Sequence, residues 1–229
     1  MTLKQLLGRP LSEFERRRAP KRLYVEGSMP LPIRDMKVSV VGTRSPTEDG
    51  MVLCQEIVRG LVKSGVVVVS GLARGIDTVA HRTAIEEGGK TIAVLPTPLN
   101  ICYPPENSEL LSLIKKEHLV VSQFMIGEPV RRENFLKRNK LMALISNVTV
   151  IVEAGERSGT FVQAKECLKL GRPLFGHISL MRWEWFRDMV ERGAIVFENA
   201  DDFLEKILPK KYNIKLTSGS ENDMRWLGW

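Results

Sequence analysis

At 229 residues, with 43% hydrophobic and 27% charged residues, the chain has the makeup of a globular protein able to bury a core without disulfides or metal, which excludes fibrous and wholly disordered classes. Its net charge of +7 is uneven: residues 1–22 hold seven basic and two acidic side chains, and "RRENFLKRNK" (131–140) adds five positive charges against one negative. No apolar run approaches the roughly 20 residues of a membrane span and the N-terminus lacks a signal-peptide core, so a cytoplasmic protein is expected. In chain order, residues 1–21 read as a flexible basic arm, residues 22–208 as one domain, and residues 209–229 as a loosely ordered extension with Trp226 and Trp229 as docking residues. Within the domain, apolar runs at 37–41, 66–70, 91–95, 119–124, 148–153, 172–178 and 194–198 read as strands. Helical spacing fills 48–65, 77–89, 108–117, 134–146 and 159–171 between them. Strands that are apolar throughout belong in a parallel sheet covered on both faces, so the fold class is α/β, an extended Rossmann-like doubly wound sheet. Gly65, Gly88-Gly89 and Gly171 stand where helices end and suit left-handed caps.

In such sheets ligands sit beyond the carboxyl ends of the strands, so the residues after each apolar run are the candidates for chemistry. These are Gly42-Thr43-Arg44-Ser45, "SGLARGID" (70–77), "PTPLNICYPPEN" (96–107) and "AGERSGT" (154–160). Glycines allow backbone amides to approach a phosphate, and Ser158-Gly159-Thr160 opens a helix whose dipole favours an anion. Three such loops on one edge, each with an arginine, point to a polyanion. The loops carry no GxGxxG with a downstream acid and no GxxxxGK[ST], so dinucleotide binding and P-loop hydrolysis are not supported. Asp77 and His81, four apart, share a helix face, but Asp77 stands where an N-cap belongs and is read as the cap. Cys54, Cys102 and Cys167 are too scattered for a disulfide framework or a zinc site, and His118 and His177 have no ligand cluster nearby. No catalytic group, cofactor or metal is expected.

Four blocks, "LYVEGSMPLPIRDMKVSVVGTRSPTEDG" (23–50), "VVVVSGLARGIDTVAHRTAIEEGGKTIAVLPTPLNICYPPENSELLSLI" (66–114), "NFLKRNKLMALIS" (134–146) and "IVEAGERSGTFVQAKECLKLGRPLF" (151–175), closely resemble the DNA-processing protein A family, DprA/Smf, in order and spacing. The resemblance covers about residues 22–176 and implies a Rossmann-like domain that binds single-stranded DNA, forms a homodimer and helps load RecA, a mediator rather than a catalyst. Carried over residue by residue, Arg44 in the turn with Gly42 and Ser45 holds a phosphate, and Gly71, Arg74 and Gly75 form the loop beside it. Ser158, Gly159 and Thr160 close the pocket. Lys137, Arg138 and Asn139 meet backbone and bases, with Phe135 as a stacking surface. The chain departs from the family at Pro96-Thr97-Pro98, which removes amides from that loop and puts DNA contacts there in doubt. It departs again at "GHISLMRWEWF" (176–186), where Pro-Gly is usual, and it resembles the family core without the flanking domains many members carry.

Two rivals come from other classes. Phosphoribohydrolases of the wider superfamily pair a PGGxGT loop with a glutamate, and here "ERSGTFVQ" places Gln163 in that neighbourhood without the double glycine. A stand-alone sensor of nucleotide ligands, or a defence protein acting through a partner, is the second reading.

Overall fold

The computed structural model describes residues 1–156 and 158–208, so Trp226 and Trp229 lie outside the described residues. The chain begins with α1 (Leu3–Leu7), α2 (Glu13–Arg18), β1 (Tyr24–Gly27), β2 (Lys37–Val41), α3 (Glu48–Lys63), β3 (Val67–Ser70) and α4 (Ile76–Glu86). It continues through β4 (Thr91–Leu95), α5 (Ser108–Glu117), β5 (Leu119–Ser122), α6 (Arg132–Ile145), β6 (Val148–Ile151) and α7 (Thr160–Lys169). The last described elements are β7 (Leu174–His177), α8 (Glu184–Glu191), β8 (Ile195–Phe197) and α9 (Ala200–Ile207). The eight strands among the described residues form one sheet in the order β1-β5-β4-β3-β2-β6-β7-β8, parallel except where β1 pairs antiparallel with β5 at the edge. The seven apolar runs are β2 to β8, and each expected helix is present.

Strand pleating assigns side chains to the two faces. Val41, Val67, Val69, Ile92, Val94 and Ile151 pack with Leu141 to Ile145 of α6 and Ala164 and Cys167 of α7. Their neighbours Val38, Val40, Val66, Val68 and Val150 pack with Ile57, Val58 and Leu61 of α3 and Ala80 and Ala84 of α4. The doubly wound reading therefore stands, with helices covering both faces. Gly65, Gly88 and Gly171 take φ of +72°, +71° and +65°, the left-handed ends expected of them.

The flexible arm is corrected. Leu3, Leu6 and Leu7 are buried in the same core as α6 and α7, because α1 turns its leucines inward while its lysine stays outside. Thr2 and Ser12 each close a capping box at a helix start. Much of the local positive charge is also neutralised internally. Glu15, itself buried, accepts two bonds from the Arg9 guanidinium (2.9 and 2.7 Å) and one from Arg172 (2.6 Å), and Arg18 pairs with Glu166 at 2.7 Å.

Burial alone would raise the Glu15 carboxyl, but Arg9, the Ser12 amide and Arg172 outweigh it and hold it at about 2, below its ordinary 4.5. A carboxylate lowered on folding stabilises the protein above its unfolded value, and that stability disappears as pH falls through the folded one. Denaturant midpoints should therefore fall between about pH 4.5 and about pH 2. Glu15→Gln should lower the midpoint at neutral pH and flatten the profile in that window. An unchanged profile would mean that this cluster does not hold the N-terminal helices down.

Candidate functional site

The carboxyl ends of β3, β2 and β6 lie side by side, and α6 runs above them. The space between is a cleft of about 1250 Å³, open on the same edge and lined by the turn after β2, the loop after β6 and the first half of α6. It forms between β2 and β6, where the chain, having run outward from β2 through β3, β4 and β5, crosses back to continue on the other side of β2, the usual ligand position in this architecture.

The turn holding Arg44 is clamped from two sides. The Thr43 amide donates to the Glu153 carbonyl (2.7 Å), and the Ile76 amide donates to the Thr43 carbonyl (3.1 Å). This approach requires glycine at two positions. A Cβ on Gly42 would stand 2.6 Å from Ile76 Cγ1, and Gly75, at φ +73°, has no room for one against the Thr43 carbonyl. The start of α3 already has its acceptors: Thr47 Oγ1 takes the Gly50 amide, and the Glu153 carboxylate takes both the Thr47 amide and its hydroxyl, all at 3.0 Å. An anion in the cleft therefore meets the Arg44 side chain rather than that helix terminus. Arg44 is exposed and makes no side-chain hydrogen bond or ion pair with the described residues; its guanidinium carbon stands 5.8 Å over the Phe135 ring.

Beneath the cleft lies a buried polar chain. Asp77 accepts the amides of Gly71 (3.2 Å) and Ala73 (3.3 Å). Arg138 donates to the carbonyls of Gly71 and Val94 and, at 2.8 Å, to Asn139 Oδ1. Asn139 in turn donates to the Gly159 carbonyl at 2.9 Å. Side chains thus tie together the loop after β3, the end of β4, α6 and the loop after β6. Burial raises the Asp77 carboxyl and lowers the Arg138 guanidinium, and each group's charge opposes the other's shift. Gly71 makes room for this arrangement, because a Cβ there would collide with the Arg138 guanidinium. One expectation changes. Gly75, not Asp77, caps α4, because Asp77 sits inside the first turn with its carboxylate reaching back to the loop. His81 bonds to Thr91 Oγ1 (2.7 Å) and does not pair with Asp77.

Of the residues expected at the site, Gly42, Arg44, Phe135 and Asn139 line the cleft, as do Ser158, Gly159 and Thr160. Arg138 also borders it, but its guanidinium is spent on carbonyls and its charge is held inside. Gly71 and Gly75 shape the loops from behind. Ser45 is exposed outside the cleft, with its amide on Thr43 Oγ1. Arg74 is exposed and pairs with Glu106, Lys137 pairs with Glu133 at 3.2 Å along α6, and neither of these cations lines the cleft. The amides expected to cradle a phosphate at 71–75 are partly taken by Asp77, and the cleft instead offers side-chain cations. Arg131 and Arg132, not singled out within their basic run, stand exposed on its rim. Tyr103, from the loop in which contacts were doubted, is on its wall. Among the described residues no group of His, Cys, Asp and Glu could hold a metal ion, and no helix is long and apolar enough to cross a membrane.

Residues 9–208 match the profile of the family described as DNA recombination-mediator protein A. The chain belongs to that family. This family member is 34% identical over 189 residues to the DNA processing protein DprA of Streptococcus pneumoniae, covering 81% of this chain and 66% of that protein. Over 138 residues it is 41% identical to Protein Smf of a Synechocystis strain, covering 60% of this chain but 35% of the relative. The solved DNA processing protein A of Helicobacter pylori, described for its single-stranded DNA binding mode, superposes with a TM-score of 0.77 at 28% identity, covering 91% of this chain and 98% of that one.

Proposed function

We propose that this chain is a recombination mediator that binds single-stranded DNA in the cleft at the carboxyl edge of its sheet and catalyses no reaction on it. The observation that carries this reading is Arg44, unpaired among the described residues, with Arg131 and Arg132 on the rim and Phe135 and Tyr103 on the wall. Cations beside aromatic rings are what a strand with exposed phosphates and unstacked bases requires. Membership of the DNA recombination-mediator protein A family and the likeness to the Helicobacter pylori protein support it. Action in the cytoplasm as a homodimer that helps load RecA is part of the same proposal.

Fluorescence anisotropy with single-stranded and duplex oligonucleotides tests it. Single strands should bind more tightly than duplex, with little dependence on sequence. If Arg44, Arg131 and Arg132 each neutralise one phosphate, the log–log slope of affinity against salt should be about −2. Equal affinity for duplex and single strand at moderate salt would overturn the proposal. Binding of mononucleotides or cyclic nucleotides in place of strands would favour the sensor reading.

A further inference from the structure

We propose that Tyr103 is a stacking platform for a base of the bound strand, a role that rests on the cleft being the DNA site. Tyr103 is 44% exposed on the cleft wall and meets Phe135 edge to face, with centroids 5.2 Å apart and planes at 78°. Phe135 is half-buried and already has the Arg44 guanidinium over its ring. In an edge-to-face pair, one ring offers its rim to the face of the other. If Tyr103 offers the rim, the pair uses neither of its own faces, and the Phe135 ring has both Tyr103 and the Arg44 guanidinium against it. If Phe135 offers the rim, Tyr103 still keeps its outer face. In either case Tyr103 keeps a face that the pair does not use, and Phe135 serves to orient it and to seat Arg44.

The loop that carries Tyr103 is held firmly enough for this role. Thr97 Oγ1 donates to the Ile101 carbonyl and Ser122 Oγ to the Thr97 carbonyl, both at 2.6 Å. Beyond Tyr103, the buried Asn107 donates to the Leu72 carbonyl (3.0 Å) and to Thr78 Oγ1 (2.9 Å), which fixes the loop to the one that follows β3. The prolines that removed amides from this loop also stiffen it, so an aromatic side chain is presented with little ordering left to be done on binding. A phosphate held by Arg44 then has an aromatic face on the neighbouring wall for its base.

The test compares an oligothymidylate with an abasic strand of the same length, binding to the full chain under one salt condition. Tyr103→Leu should weaken binding to oligothymidylate by about 5- to 150-fold, the range for loss of one base–aromatic stack, while Tyr103→Phe stays within about twofold of the parent. On the abasic strand, Tyr103→Leu should equal the parent. Equal losses on both strands, or a loss in Tyr103→Phe as large as in Tyr103→Leu, would overturn the stacking role. Arg44→Ala separates the two readings. If it weakens both strands while Tyr103→Leu weakens neither, the cleft stands and the platform falls; if it weakens neither, the cleft reading falls and the platform with it. Should Tyr103→Leu fold poorly by thermal melting, the parent alone decides. It must bind oligothymidylate at least about fivefold tighter than the abasic strand, and equal affinities overturn the proposal.

Discussion

Arg44→Ala should bind single-stranded oligonucleotides about 10- to 150-fold more weakly than the parent, the equivalent of about 1.5–3 kcal/mol for a charge-assisted hydrogen bond. Arg44→Lys should recover little of this, since an ammonium carries the charge without the flat two-pronged donor set that matches a phosphate. The expectation is sharper for Arg44 than for the other cations first placed at the site. Arg74 is paired with Glu106, Lys137 with Glu133, and Arg138 is buried, whereas Arg44 has no such partner among the described residues. Lys137→Ala should accordingly have a smaller effect than Arg44→Ala. The turn beneath Arg44 is fixed by backbone bonds to Glu153 and Ile76, so removing the side chain should leave melting temperature and oligomeric mass unchanged. Parental affinity in folded Arg44→Ala would move the DNA site away from this cleft.

Arg138→Met should instead act on stability. It removes the guanidinium that serves the Gly71 and Val94 carbonyls, and it leaves Asp77 buried with its charge no longer opposed. Stranding one of two buried opposite charges typically costs about 3–5 kcal/mol, which for a domain of this size lowers the melting temperature by about 6–20 °C. Asp77→Asn combined with Arg138→Met should be less damaging than the sum of the two single changes, because neither charge is then left behind. Calorimetric melting of the four proteins makes the comparison. Additive losses would show that Asp77 and Arg138 are not energetically coupled.

The strands were legible because seven of them are apolar on both faces, and a run such as "VVVVS" needs no partner in view to be read. β1 was missed because it is partly exposed at the sheet edge, where half-burial erases the apolar run. α2 was hidden by its charge: in "EFERRR" the decisive residue is Glu15, and its partner Arg172 is too remote for any local pattern to show. The loops were found by their position after strands, but sequence does not show which amides an internal carboxylate will take, as Asp77 does. The burial of Arg138 did leave a trace. Asn134, Arg138, Met142 and Ile145 recur at helical spacing and all are buried, whereas Lys137 lies one position off that stripe and points outward. Tyr103 left none, because its place on the cleft wall depends on how a proline-rich loop folds back.

The bond between Glu15 and Arg172 spans 157 residues of sequence. During synthesis at roughly 5–20 residues per second, the N-terminal helices would emerge roughly 8–30 s before the residue that anchors them. Over that interval Leu3, Leu6 and Leu7 have no completed core to enter, since α6 and α7, which cover them, are also made late. This segment therefore leaves the ribosome well before the residues that hold it in place, and for that time it is an exposed apolar and basic strip of the kind that chaperones retain.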